Sequence, residues 1–110
     1  MRRGDIYLAA LGSPVGHEQS GNRPVIILSS QSWLDSNPPV VTVVPMTRTR
    51  RDSSTHIEVE PGRSGLRATS YAKCEDLRAI SPQRLGQKFG SADDVVMGKV
   101  DVVVRRLLGF

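Results

Sequence analysis

The sequence predicts a small, mainly β protein of the α+β class: a mixed, strongly bent sheet or small barrel with one amphipathic helix at its carboxy-terminal end. Six short runs of β-favouring residues are separated by Gly, Pro, Ser and Asn turn signals. The stretch from Ser91 to Leu108 breaks that rhythm and repeats its apolar residues at helical spacing. A chain of 110 residues holds one core and is too short for two, so residues 1–110 are expected to form one domain.

Ile6 to Leu11 reads as the first strand, bounded by Gly4 and Gly12. Residues 12–22 carry three glycines and a proline and form a loop. Arg23 to Leu28 is a strand whose four branched apolar residues anchor that loop on rigid backbone, with Pro24 tolerated at its start. Between Ser29 and Asn37 one helical turn is expected. Val40 to Met46 is the most β-rich segment, and a strand there should stop or bulge at Pro45. Thr47 to Ser54 is a basic loop. Thr55 to Glu60 alternates, placing Ile57 and Val59 on one face of a half-buried strand. Leu66 to Leu77 is expected to be extended, Pro82 to Leu85 to turn, and Lys88 to Gly90 to lead into the helix.

The helix has the clearest signal. Ser91 with Asp94 three residues on is a weak capping box, and Asp93 and Asp94 suit the positive amino end. Val96, Val100, Val103, Val104, Leu107 and Leu108 fall on one side, with Asp93, Lys99 and Arg106 elsewhere. Arg105 and Arg106 occupy the last turn and Gly109 ends it. So many valines lower helix propensity, which leaves packing to hold the helix.

Lys and Arg total 15 against 11 Asp and Glu, a net charge of +4 with a pI near 9.8. This balance favours a polyanionic partner such as nucleic acid, against the alternative of a protein that is merely basic. The one cysteine, Cys74, excludes an internal disulfide, and with two histidines it does not make a tetrahedral zinc site. No metal and no cofactor is expected. No signal peptide or membrane-length apolar segment is visible, so a cytoplasmic location without membrane attachment is expected.

Four groups of residues, in this order, carry a resemblance. They are Gly4-Asp5-Ile6-Tyr7; Gly16-His17-Glu18-Gln19 followed by Arg23-Pro24-Val25; Val44-Pro45-Met46-Thr47; and Cys74-Glu75-Asp76-Leu77-Arg78-Ala79-Ile80. Each is weak alone, but their joint order and spacing resembles the MazF/PemK/Kid family of toxin endoribonucleases, nearest to the Kid/PemK branch. The resemblance runs from Arg3 to about Leu108. It implies an SH3-like, CcdB-like barrel with a carboxy-terminal helix. It also implies a homodimer and metal-independent, sequence-specific cleavage of single-stranded RNA. Neutralisation would come from an antitoxin whose acidic, flexible carboxy-terminal segment lies over the RNA groove. Two rival expectations are a CcdB-like gyrase-poisoning toxin and an inactive barrel that only binds RNA. The end of the chain, Leu107-Leu108-Gly109-Phe110, lacks the tryptophan that the gyrase rival expects there.

Cleaving RNA without a metal needs a base for the 2′-hydroxyl, a cation for the phosphate and a proton for the 5′-oxygen. Arg23 suits the phosphate, because guanidinium donates a planar fork of hydrogen bonds, unless it only pairs with an acid such as Glu18. Thr47 ends a strand, where it would ordinarily be a turn residue, and the resemblance places it in the active site. Lys73 and Glu75 should point to one side of an extended segment with Cys74 turned away, and Lys73 would keep Glu75 ionised. The Kid branch resembles this pair with an arginine and an aspartate, so the acid and base duties are open here; otherwise the two form a surface ion pair. A loop histidine such as His17 is usually solvated, but the resemblance makes it an active-site residue. These considerations nominate Arg23, Thr47, Glu75 and His17 as catalytic. Glu18, Gln19, Arg48, Arg50, Ser70, Lys73 and Arg78 are the RNA-contacting candidates. Tyr71 is a weak stacking candidate. His56 is read as exposed or packed on the sheet, and Cys74 as a buried apolar residue.

Overall fold

Two adjacent strands, buried on both faces, form the centre of the protein, and the rest of the chain is laid against them. The computed structural model describes residues 1–13 and 15–110; Pro14, the proline of the expected loop, lies outside the described residues. The strands are β1 (Asp5–Ala10), β2 (Asn22–Ile27), β3 (Val41–Thr47), β4 (His56–Val59), β5 (Ser70–Lys73), β6 (Arg78–Ile80) and β7 (Leu85–Ser91). A short helix α1 (Gln31–Asp35) follows β2, and α2 (Asp94–Leu108) closes the chain; 3₁₀ turns occupy Cys74–Asp76 and Pro82–Arg84. The sheet order is β4-β5-β3-β2-β1-β7, with β6 also paired to β3. Every described pairing is antiparallel, so the sheet is not mixed.

The expected strand ends hold to within a residue or two through β3, but Pro45 does not interrupt it. The N–H and C=O of Thr42 both face the β2 side, where they meet Ser29 Oγ at 2.8 Å and Leu28 N–H at 2.9 Å. Backbone groups alternate along a strand, so Pro45 turns its nitrogen to the opposite flank. Along β3, pairing with β6 stops at Val43 and pairing with β5 starts at Met46. Pro45 lies in the gap between these neighbours, where no ladder hydrogen bond is lost.

Three further expectations are corrected. The extended segment 66–77 narrows to β5, because the chain turns at Cys74–Asp76, with the Leu77 N–H on the Cys74 carbonyl at 3.2 Å. A seventh strand, β7, appears where only Lys88 to Gly90 hinted at one; its polar residues suit an outer strand and conceal it from an apolar pattern. The helix cap is Asp93, which accepts the Val96 N–H at 2.8 Å. Ser91 stays in β7, its N–H bonded to the Arg63 carbonyl at 3.0 Å.

The alternation of β2 and β3 divides the core in two. Ile26, Val44 and Met46 face α2, where they pack with Met97, Val100, Val103 and Val104. Val25, Ile27, Val41 and Val43 face the other way, onto Leu34 of α1, Leu11 and Ile80. This explains the unbroken apolar run of β2, which a strand with one wet face would not need. Of the residues expected on the apolar side of α2, Leu107 and Leu108 project beyond the sheet and are exposed. Gly109 takes φ +80°, the left-handed cap that its lack of a side chain permits. Gly65, at φ +72°, permits a different closeness: a Cβ there would lie 1.9 Å from the Phe89 carbonyl oxygen.

Candidate functional site

A loop and the end of the sheet enclose a large polar cleft. The loop leaves β1 and returns to β2 through a narrow neck, where Leu11 N–H meets the Gly21 carbonyl at 2.9 Å and Gly21 N–H meets the Gly12 carbonyl at 2.8 Å. Its body is tied to the Cys74–Asp76 turn. Asp76 Oδ2 accepts the Gln19 N–H at 2.7 Å, and the Lys73 ammonium donates to the His17 carbonyl. Residues far apart in sequence thus hold the loop in place.

The cleft, about 620 Å³, has His17, Glu18, Gln19 and Arg23 on the loop side and Thr47, His56, Lys73 and Glu75 on the sheet side. Arg48 and Arg51 complete its rim, so four fixed cations face two carboxylates. Such a surface attracts a polyanion. A second hollow, about 280 Å³, shares Arg23, Thr47 and Arg48 and extends the surface to Asn22, Leu66, Arg67 and Ser70.

Arg23 enters from β2 with its Nε held by the Ser20 carbonyl at 3.1 Å. One edge of the guanidinium is thereby fixed, leaving its terminal nitrogens to grip an anion. Thr47, the last residue of β3, is buried; its Oγ1 accepts the Thr49 N–H at 3.1 Å, which leaves the hydroxyl proton to donate.

Glu75 differs from its sequence reading. Its partner is not Lys73, whose ammonium is engaged by the loop. Thr55 Oγ1 donates to Glu75 Oε1 at 2.8 Å, and His56 Nε2 lies 3.0 Å from Oε2. Burial pushes the Glu75 carboxyl up, but the turn's own backbone N–H and the His56 and Thr55 hydrogen bonds together hold it below the usual glutamate value. Lys73 and Glu75 do line the same cleft, by way of a 3₁₀ turn and not strand alternation. Cys74 points into the core as expected, where burial, with the nearby Glu75 adding, pushes its thiol up to about 12.

The structure therefore brings together His17, Glu18, Gln19, Arg23, Thr47, Arg48, Lys73 and Glu75. Ser70 lies apart in the second hollow, buried, with its hydroxyl on the Ala68 carbonyl at 3.2 Å. Arg50 is turned to solvent and pairs with Asp52 at 2.8 Å. Arg78, opposite Val43 on β6, lines neither hollow. Tyr71 sits opposite Thr47 on β5 but lines neither hollow as well. Sequence reasoning missed Thr55, His56 and Asp76. The alternation of Thr55 to Glu60 did place His56 on the face away from Ile57. Only the pairing of His56 with Lys73 across β4 and β5 reveals that this face meets the cleft.

Comparison with known proteins gives consistent results. Residues 2–108 match the family model described as the PemK-like, MazF-like toxin of type II toxin-antitoxin systems. The chain is 34% identical over 102 residues to Endoribonuclease EndoA of Bacillus subtilis, covering 92% of this chain and 88% of that protein. It is 33% identical over 110 residues to Endoribonuclease MazF of Staphylococcus saprophyticus, covering 99% and 92% respectively. In fold it is similar to a mycobacterial endoribonuclease solved in complex with its cognate antitoxin. The TM-score is 0.82 at 24% identity, over 100% of this chain and 96% of that one.

Proposed function

This chain belongs to the PemK-like, MazF-like toxins of type II toxin-antitoxin systems, and from that premise we propose how its cleft cleaves RNA. The protein is an endoribonuclease, as its relatives are named, and the gyrase-poisoning alternative is not favoured. The observation that carries the proposal is the meeting of Arg23, Thr47 and Glu75, from three distant segments, in one cationic cleft.

Glu75, held as an acceptor, takes the proton of a 2′-hydroxyl. The freed O2′ attacks the adjacent phosphorus, so that the P–O2′ bond forms as the P–O5′ bond breaks. Arg23 and Thr47 donate to the phosphate oxygens on which charge accumulates. O5′ leaves and takes up a proton from the loop side, where His17 is the proton-transfer group at hand. The products are a 2′,3′-cyclic phosphate and a 5′-hydroxyl. No step calls for a metal or cofactor, and single-stranded RNA fits the need for a 2′-hydroxyl turned in line with its phosphate. Glu18, Gln19 and Arg48 line the path of the strand and are the proposed base and phosphate contacts.

Two partners complete the proposal. The cation excess of the cleft suits the acidic, flexible segment of an antitoxin, whose binding should weaken as salt is added. A homodimer is proposed on the apolar surface left on α2, where Val95 and Val102 are exposed. No helix is long and apolar enough to cross a membrane among the described residues, and we place the toxin with its RNA in the cytoplasm.

The test is digestion of a defined RNA in the presence of EDTA, with the product ends mapped and primer extension on a long RNA to read the sequence preference. Cyclic phosphate and 5′-hydroxyl ends, lost in Arg23→Ala, are expected. RNA left intact, or cut equally by Arg23→Ala, overturns the proposal.

A further inference from the structure

We propose that His56 is a positioning residue for the reaction, holding the Glu75 carboxylate in the orientation in which it meets the 2′-hydroxyl. The inference rests on the assignment of Glu75 as base and deepens it. His56 opens β4 opposite Lys73, and its N–H is bonded to the Ser53 carbonyl at 3.1 Å. Its side chain is only 6% exposed, yet it reaches the cleft and places Nε2 at 3.0 Å from Glu75 Oε2.

A carboxylate only accepts, so at this contact the imidazole proton sits on Nε2. The other ring nitrogen, Nδ1, is buried with no hydrogen-bond partner among the described residues. A ring whose purpose was to fill space in the sheet would not need a polar nitrogen there, since an unpaired buried polar atom is costly. The one side-chain hydrogen bond that the imidazole makes among the described residues is the one to Glu75. Thr55 addresses the other oxygen of Glu75 at 2.8 Å and is itself braced, its hydroxyl 3.0 Å from Ser53 Oγ and its carbonyl accepting the Cys74 N–H at 3.1 Å. Each carboxylate oxygen is thus held by one side-chain donor, Thr55 on Oε1 and His56 on Oε2. His56 does not exchange a proton with RNA in this scheme; it acts through Glu75.

The other charged groups around the carboxylate fall into two sets. His17, Glu18 and Arg23 face it from the loop side of the cleft, and Arg48 and Arg51 from the rim. Lys73 and Asp76 flank it in sequence but are bonded to the loop, to the His17 carbonyl and the Gln19 N–H respectively. Side-chain hydrogen bonds to Glu75 come from His56 and Thr55. Loss of His56 should therefore change the protonation of Glu75 more than loss of any of its charged neighbours.

The experiment compares pH–rate profiles of His56→Leu, His56→Gln and His56→Asn with those of the parent and of Glu75→Gln on one cleavable RNA. His56→Leu removes the donor at similar bulk. It is expected to lower kcat by about 10–100-fold with little change in KM, and to move the acid limb of the profile to higher pH. Glutamine places its amide nitrogen near the position of the ring Nε2 and should restore most of kcat and the parental acid limb. Asparagine is too short and should not. An acid limb unmoved in His56→Leu overturns the proposal. If that variant does not fold, identical profiles for the glutamine and asparagine variants overturn it instead. An inactive Glu75→Gln beside unaffected His56 variants removes only this inference, whereas a fully active Glu75→Gln removes the assignment of Glu75 as base.

Discussion

The two sides of the cleft are built on different principles. The loop side, His17 to Gly21, has no ladder of its own beyond its neck and is positioned from outside by Asp76 and Lys73. On the sheet side Thr47 and His56 stand on paired strands, and Glu75 on the turn that follows β5, above a core that includes Met46, Ala72 and Cys74. Side chains that must meet a reacting atom within a fraction of an ångström gain from the second arrangement. Those that admit a long, flexible polymer gain from the first, because loops adjust at little cost. The base assigned to Glu75 on the sheet side and the RNA contacts assigned to Glu18 and Gln19 on the loop follow this division, while Arg23, carried by β2 at the edge of the loop, serves both.

Changes on the sheet side should cost the most activity. Glu75→Gln keeps the shape and removes the proposed base, and is expected to slow cleavage by about 10²–10⁴-fold, read from single-turnover rates at saturating RNA. Arg23→Ala, at the hinge between the two sides, should lose about 10²–10³-fold in kcat, because a donor aimed at the developing phosphate charge is removed. A loss confined to KM for either variant would mean that the division is misplaced. Asp76→Ala removes the acceptor of the loop tether without touching the sheet. It should raise KM several-fold and cost the fold at most about 1.5–3 kcal/mol, the contribution of one part-buried hydrogen bond to a carboxylate. By contrast Ile26→Ala, under the sheet, should destabilise the fold by about 2–5 kcal/mol in urea titration.

The smallest effect concerns acid. Glu75 in the folded protein lies below the ordinary glutamate value. Its ionised form therefore adds stability that is fully present above the unfolded pKa of about 4.3 and is lost as pH falls through the lower folded value. The parent should lose this increment on acidification, and Glu75→Gln, which never had it, should show a flatter dependence. Partial exposure of the carboxylate keeps the difference small. Urea midpoints across the acid range measure it; parallel curves would mean that the His56 and Thr55 bonds do not favour the ionised form.

Much of the molecule was legible in the sequence because it is encoded locally. The valine spacing of α2, the apolar run of β2 and the loop between β1 and β2 each follow from residues a few positions apart. The strand position of Arg23 was legible in the same way, but its nomination over an ion pair with an acid such as Glu18 rested also on the resemblance. Glu75 was legible as a residue and not as an environment: alternation put Lys73 beside it, and the 3₁₀ turn gave its oxygens to Thr55 and His56 instead.

What the sequence determined by itself, then, was the inventory: a bent β structure closed by a helix, an arginine and a threonine at strand ends, and a carboxylate in the Cys74 to Asp76 segment. What only the tertiary structure decided was the company each residue keeps. His56 lies 19 positions from Glu75, and Gln19 lies 57 from Asp76. Contacts at such separations depend on which strands pair and in what register, and no local propensity carries that information. Pro45 teaches the same: alone it forecast a break, and it is tolerated because β6 and β5 part at that point on the flank of β3. Local pattern fixes what a segment can form, while burial and pairing across the whole chain choose which side chains share a cleft.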